Sequence, residues 1–187
     1  MARRVKPRCN YHRSGLGFDW ETTTHPSQRG RFGAYQVYKG TVLHEFGFFY
    51  ADDIPPADLE CLRRVVASMP HARLLTVSQF REWVFWKIGY RRRARIFGFN
   101  LPFDISRTAT GNSPARGETM RGGFSFSLSE GTWWPRVQIK HLSRKAALIQ
   151  FAPRRRDSSS REKRGLKTPH SPRVLYRRED TRRGNPE

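Results

Sequence analysis

Cysteine and long hydrophobic runs are both scarce in this sequence. Only Cys9 and Cys61 occur among 187 residues, which excludes a disulfide framework or a zinc site built from several cysteines. Reduced thiols are the default state in the cytoplasm. No stretch approaches the roughly 18 apolar residues of a membrane span, and the basic start lacks the apolar part of a secretory signal. We therefore expect a soluble cytoplasmic protein, nucleoid-associated if bacterial, without a membrane partner.

Acidic residues are also scarce relative to basic ones. Lys and Arg total 36 against 16 Asp and Glu, which gives a net charge of +20. Residues 153–187 hold 12 basic and 5 acidic residues, net +7, so the first 152 residues still carry +13. Because phosphate contacts dominate affinity for nucleic acids, this surplus predicts a polyanionic partner. A solvated basic tail accounts for only part of the charge.

The first two thirds of the chain show alternating strand and helix patterns. Aromatic and β-branched residues predict strands at 16–21, 34–38, 42–50 and 94–99. Apolar residues at helical spacing predict a first helix at 57–69 and a second that begins after Ser78, its N-cap, and ends near Arg93. A third helix is predicted at 103–109, after Pro102. The second and third strands are joined at Lys39-Gly40 as a hairpin. This order predicts a mixed α/β fold.

The last third divides into strand patterns and a basic tail. Alternating apolar and polar residues predict antiparallel strands at 123–128, 136–142 and 146–151. After Pro153 almost no apolar residues remain, so burial cannot offset the entropy of ordering. We expect a loose basic N-terminus at 1–14, one domain at 15–152 and a disordered basic tail at 153–187.

Three acidic residues stand where short apolar runs end. Asp19 and Glu21 are separated by one residue, so on a strand both side chains point to one face, where they repel unless a cation lies between them. Asp104 follows the 94–99 strand, and it reaches the same edge if that strand lies beside the first. Together the three could hold two divalent ions about 4 Å apart, an arrangement that cleaves phosphodiesters.

A purely structural interpretation of these acids stays open. Asp19 and Glu21 are then turn residues after a strand, whereas Asn100 and Asp104 cap a helix. The Asp-x-Glu pattern alone is common and favours this interpretation. Its combination with Asp104 favours a metal site.

Two motifs that contain these acids resemble a known family. Residues 18–23 read Phe-Asp-Trp-Glu-Thr-Thr, and residues 98–104 read Gly-Phe-Asn-Leu-Pro-Phe-Asp. They resemble the first two motifs of DEDD-type 3′–5′ exonucleases, with the closest likeness to the proofreading domain of family B DNA polymerases of plasmid, viral and organellar type. The resemblance covers residues 16–109 and implies an RNase H-like fold, a mixed sheet with flanking helices.

The resemblance also implies a role for individual residues and a substrate. The implied catalytic and metal-binding residues are Asp19, Glu21 and Asp104. The implied substrate-binding residues are Asn100, Phe103 and Thr22. The metal would be Mg²⁺ or Mn²⁺, with two ions if the site is complete, and water would be the nucleophile. The partner would be single-stranded DNA or a 3′ end, with DNA favoured over RNA.

A third motif of the family, Tyr-x-x-x-Asp on a helix, supplies a fourth carboxylate. The literal match runs from Tyr176 to Asp180 in the charged tail, where no apolar helical face surrounds it. We interpret it as coincidental. The missing motif and the change of composition at Pro153 predict that the chain is a truncated or frame-shifted part of a longer protein, such as a DNA polymerase.

Other functions stay open on the same residues. A basic α/β domain without the fourth carboxylate could bind nucleic acid without catalysis, or it could be a nonfunctional remnant. Trp133 and Trp134 could stack on bases, although burial of aromatic residues is commoner. Arg136, Lys140 and Arg144 could follow a phosphate backbone, and a solvated strand face explains them as well.

Overall fold

The computed structural model contains two β-sheets with helices beside and between them. It describes residues 14–131, 133–143, 146–152 and 173–177. The mixed sheet consists of β1 (Ser14–Thr22), β2 (Gly30–Lys39), β3 (Val42–Tyr50), β4 (Arg73–Thr76) and β5 (Arg95–Phe97). The antiparallel sheet consists of β6 (Gly111–Pro114), β7 (Phe124–Ser127), β8 (Val137–Ser143), β9 (Ala146–Phe151) and β10 (Arg173–Arg177). The helices are α1 (Pro56–Ala67), α2 (Val77–Gln79), the wide helix (Phe80–Arg91), named for its π-type hydrogen bonding, and α3 (Leu101–Thr108).

The mixed sheet has β1 next to its edge strand. Its strand order is β4-β3-β2-β1-β5. The strands β1, β2 and β3 form an antiparallel meander, and the predicted hairpin between β2 and β3 turns at Gly40, whose φ of +61° suits glycine. In contrast, β5 pairs with β1 in parallel, Leu16 lying opposite Ile96. The chain after β5 therefore continues from the same edge of the sheet at which β1 ends.

Strand β1 separates an apolar face from a face with small and acidic residues. Leu16, Phe18 and Trp20 are buried in the core. The opposite face begins with glycines, and a Cβ at Gly17 would lie 2.6 Å from the ring of Phe97. Phe97 therefore packs directly on the backbone there. Asp19 is the first side chain beyond that glycine on the same face.

The wide helix connects the two sheets through an aromatic core. Phe80 stacks on Phe49 of the mixed sheet with ring centroids 4.0 Å apart. Six residues along the helix, Trp86 contacts the antiparallel sheet, where its Nε1–H donates to Leu128 O at 3.1 Å. Trp86 also stacks on Trp134 at 4.9 Å. The two sheets and this helix therefore share one hydrophobic core.

The start of this helical segment differs from the prediction. Thr76, not Ser78, is the N-cap: its hydroxyl accepts a hydrogen bond from the Gln79 backbone N–H at 3.1 Å, and the Gln79 side chain accepts one from Thr76 N–H at 2.9 Å. This reciprocal pair is a capping box. Strand β4, which ends at the cap, was not predicted because four residues are too few to show a period.

The mixed α/β class and the additional antiparallel β-structure are confirmed. Within the tail that was predicted to be disordered, 153–187, Arg173–Arg177 pairs with β9 in antiparallel register. The segment reads Arg-Val-Leu-Tyr-Arg, and its β-branched and aromatic residues favour a strand once an open edge is available. The remaining residues of the predicted tail, and residues 1–13 of the predicted loose N-terminus, lie outside the described residues. In the described part of the chain, no helix is long and apolar enough to cross a bilayer.

Candidate carboxylate site at the end of strand β1

The carboxylates of Asp19 and Asp104 lie together although 85 residues separate them in sequence. Asp104 is in the first turn of α3, which follows β5 after a short connection. Because β5 is parallel to β1, α3 begins at the edge where β1 presents Asp19. Gly98 makes the connection possible, since a Cβ there would lie 2.7 Å from Phe18 O. The predicted convergence of Asp104 on the first strand is present in the structure.

Asp104 is buried without full compensation for its charge. Its side chain is 1% exposed, and the Trp20 backbone N–H donates to Oδ1 at 3.3 Å. The other oxygen, Oδ2, has no hydrogen-bond partner among the described residues. Burial, followed by the neighbouring Asp19 carboxylate, raises the pKa of Asp104 to about 7, against the opposing effect of the Trp20 and Asn100 N–H groups. A proton or a cation is therefore needed between the two carboxylates near neutral pH.

A hydrogen-bond chain fixes α3 against the end of β1. The indole Nε1–H of Trp20 donates to Thr108 Oγ1 at 2.8 Å, and that hydroxyl donates to Asp104 O at 2.7 Å. Trp20 therefore contacts Asp104 through its backbone and the last turn of α3 through its ring. A site held by both ends of a helix has little freedom to separate its carboxylates.

Glu21, the third predicted ligand, lies on the same strand face but apart from this pair. It is exposed near the end of β1, where the pairing with β2 shifts register between Glu21 and Thr22. Two strand residues span roughly 7 Å, which places its backbone one step beyond Asp19. Among the described residues, no three His, Cys, Asp or Glu side chains are close enough together to hold a metal ion. The structure brings together two of the three predicted ligands.

The predicted substrate-binding residues lie around the pair. Asn100 is the exposed N-cap residue of α3, and its carbonyl accepts from the Phe103 N–H at 2.8 Å. Phe103 is half-buried, with the Arg107 guanidinium 4.7 Å from its ring centroid. Thr22 is half-buried at the end of β1. Asn100 and Phe103 therefore share a helical turn with Asp104, whereas Thr22 stands beyond Glu21 on the strand.

Two exposed aromatic residues beside the site were assigned to a buried strand from the sequence. Phe97 is 43% exposed and Phe99 is 86% exposed. Only three residues pair in β5, and the side chains alternate, so Ile96 enters the core whereas Phe97 and Phe99 do not. The alternation was available in the sequence, but a short apolar run favoured burial on both faces. Exposed aromatic rings next to an acidic site provide surfaces on which bases can stack.

The literal third motif lies only partly within the described residues. Tyr176 falls within strand β10, while residues 178–180, which include Asp180, lie outside them. The interpretation of this match as coincidental stays a prediction.

Comparisons of the chain with protein-family models, with curated proteins and with solved structures gave no match. The resemblance to DEDD-type exonucleases therefore rests on the two motifs and on the placement of their residues.

Proposed function

We propose that this protein is a metal-dependent nuclease of the 3′–5′ exonuclease type that acts on DNA. The supporting observation is the carboxylate pair of Asp19 and Asp104, in which a buried oxygen lacks a hydrogen-bond partner. Buried polar atoms are normally paired. An uncompensated carboxylate with a strongly raised pKa is typical of a functional site rather than of a stabilising one.

The donor set fits Mg²⁺ or Mn²⁺. Both ions prefer oxygen ligands, and Mg²⁺ is commonly held by one or two carboxylates, with water and substrate phosphate completing the shell. Asp19 and Asp104 would hold one ion, and Glu21 would contribute to a second. Such an ion supplies Lewis acidity for phosphodiester hydrolysis by water.

The protein's own groups would orient the carboxylates and the DNA. The N–H groups of Trp20 and Asn100 fix the direction of the Asp104 carboxylate. Phe97 and Phe99 offer exposed rings for the bases of a single strand, because stacking tolerates any base. The net charge of +20 would increase the rate of association with DNA.

The RNase H-like fold is part of the same proposal. It is supported by the β1–β2–β3 antiparallel meander and by the parallel strand β5 beside β1. In this arrangement the acid after β5 reaches the acid on β1 through backbone geometry alone. The strand β4, parallel to β3 at the other edge, and the antiparallel sheet are additions to that unit.

The absence of a third nearby carboxylate favours a second candidate. Within the described residues, no group of three metal-ligating side chains is present. A basic protein that binds nucleic acid without cleaving it needs no complete metal shell. Under this alternative, Asp19 and Asp104 would hold a cation that only stabilises the fold.

A nuclease assay distinguishes the two candidates. Purified wild-type protein is incubated with Mn²⁺ and single-stranded DNA labelled at its 5′ end, beside Asp19→Ala and Asp104→Ala. Glu60→Ala is the matched control, because Glu60 is an exposed acid on α1. We expect stepwise shortening from the 3′ end by the wild type and the control, and a loss of at least about 100-fold in both site variants.

Each outcome separates the candidates. Shortening that needs Mn²⁺ and both aspartates supports the nuclease. Binding of the DNA with a steep dependence on salt, without shortening, supports the binding protein. Shortening that survives in Asp104→Ala contradicts the proposed site.

A further inference from the structure

A polar cleft lies on the outer face of the antiparallel sheet. Val137 and Ile139 of β8 point into the core, so Gln138 between them points to the opposite face. The cleft on that face has a volume of about 650 Å³. Its polar lining residues are Ser113, Arg116, Ser125, Arg136 and Gln138. None of the described residues that line it is an acid.

Neutral groups hold the guanidinium of Arg136 in this cleft. Its Nε–H donates to Ser125 Oγ at 2.9 Å, and Nη2 donates to Ser125 O at 2.5 Å and to Ser113 Oγ at 3.2 Å. These partners fix the plane of the guanidinium but do not neutralise its charge. Because these bonds use three of the five guanidinium N–H groups, a phosphate would accept from the two on Nη1. The fixed orientation of the guanidinium lowers the side-chain entropy that is lost on binding.

The segment that contains Arg116 is hydrogen-bonded to the same sheet. Gln138, which is 5% exposed, donates from Nε2 to Arg116 O at 3.2 Å and accepts from Gln150 at 3.0 Å. Farther along β8, Lys140 Nζ donates to Thr119 O at 3.1 Å. These bonds position the backbone of Arg116 beside the cleft and leave its side chain exposed.

Another cleft with arginines is less suited to an anion. It lies beside Trp20, has a volume of about 550 Å³, and is lined by Arg29, Arg81, Arg107, Asp52 and Asp53. Arg29 lies 2.8 Å from Asp53, and the charge of Asp52 acts on Arg81. Two carboxylates therefore oppose its cations, whereas the described residues that line the cleft of Arg136 include two arginines and no acid.

We infer that the cleft of Arg136 and Arg116 binds a phosphate group. The group is either a diester of a nucleic-acid strand or the phosphate of a free nucleotide, because both offer the same oxygens to Nη1 of Arg136 and to the exposed side chain of Arg116. This site is separate from the carboxylate pair and needs no metal. It therefore does not depend on the proposed nuclease activity.

The test measures binding in EDTA, so that metal-dependent binding at the carboxylate site does not contribute. The anisotropy of a labelled 12-nucleotide single strand is followed for the wild type, Arg116→Gln and Arg136→Lys. Arg64→Gln is the control for Arg116→Gln, since it removes one positive charge from an exposed position on α1. We expect binding about tenfold weaker for Arg136→Lys and several-fold weaker for Arg116→Gln, with less than a twofold change for the control. Thermal midpoints show whether each variant is folded.

A competition arm distinguishes the two sources of phosphate. If 5′-deoxythymidine monophosphate displaces the strand from the wild type at millimolar concentration, the cleft accepts a free nucleotide. If it does not, while both cleft variants bind the strand weakly, the ligand is a backbone diester. Should Arg136→Lys fail to fold, Arg116→Gln alone decides. Equal affinity of the cleft variants and Arg64→Gln, or no binding by the wild type, overturns the inference.

Discussion

Buried polar side chains of the antiparallel sheet are hydrogen-bonded, whereas the buried acid at the edge of the mixed sheet is only partly so. On the antiparallel sheet, Ser125 and Gln138 are almost fully buried, and both are hydrogen-bonded, Ser125 to Arg136 and Gln138 to Gln150. At the edge of the mixed sheet, Asp104 is buried as deeply, but one of its oxygens has no hydrogen-bond partner in the part of the chain that the structure describes. Both kinds of burial cost desolvation energy, but only the first recovers it within the protein. The uncompensated group therefore marks the place where a ligand is expected.

The most disruptive way to test this comparison is to break the connection between the sheets. Trp86 is fully buried where the wide helix meets the antiparallel sheet, donates to Leu128 O and stacks on Trp134. Trp86→Ala should lower the free energy of unfolding by about 3–5 kcal/mol, because it leaves a large cavity and an unpaired carbonyl. Urea denaturation followed by far-UV circular dichroism measures the change.

Lys87→Ala on the same helix is the control, since Lys87 is exposed. It should change stability by less than about 0.5 kcal/mol. A small effect of Trp86→Ala, comparable with the control, would contradict a core shared by the two sheets.

A second prediction concerns how the free energy of unfolding depends on pH through Asp104, the buried acid of α3 at the edge of the mixed sheet. The pKa of Asp104 is raised to about 7 in the folded protein from an ordinary 3.8. The folded state therefore binds the proton more tightly than the unfolded state, and metal-free stability falls as the pH rises from about 4 to 7. We expect a loss on the order of 2–4 kcal/mol from this group.

Comparison with Asp104→Asn isolates that contribution from the other carboxylates. The variant should be close to the wild type at pH 4 and more stable than it at pH 8 in EDTA. Urea midpoints at both pH values give the difference. A variant that is less stable than the wild type at pH 8 would show that the ionised carboxylate is compensated by partners.

A smaller effect on stability is expected from the buried and hydrogen-bonded Ser125 of the antiparallel sheet. Ser125→Ala removes the hydroxyl that accepts from Arg136 Nε at 2.9 Å, but the Ser125 carbonyl still accepts from Nη2. We expect a loss of about 1 kcal/mol in the free energy of unfolding. Ser113→Ala, which removes a longer contact from an exposed residue, should cost less. Equal effects in both variants would mean that the buried network adds nothing to stability.

Much of the fold was predictable because it follows from local patterns. The hairpin between β2 and β3 is set by Gly40 and by aromatic alternation, and Pro55-Pro56 introduces α1 as expected. Strands β4 and β10 were not predicted, because each depends on an edge supplied by a distant part of the chain. The π-type hydrogen bonding of the wide helix was not predicted either, since its apolar residues three and four apart fit an α-helix.

The site was predictable only as far as backbone geometry determines it. The parallel pairing of β5 with β1 brings Asp104 to Asp19, as expected from their positions after two apolar runs. Glu21 did not join them: it keeps the register and the face of Asp19, but it lies two residues farther along the strand and is exposed. The unpaired Oδ2 of Asp104 depends on the packing of α3 against Trp20, which no spacing in the sequence reveals.

Titration with Mn²⁺ tests most directly whether Asp19 and Asp104 form one cation site. Binding is measured by electron paramagnetic resonance at pH 7.5 for the wild type, Asp19→Asn, Asp104→Asn and the exposed control Glu60→Gln. We predict saturable binding by the wild type and the control, at least tenfold weaker binding by either site variant, and weaker binding by the wild type at pH 5.5, because the pair then holds a proton. Equal Mn²⁺ binding by the wild type and both site variants would contradict the account.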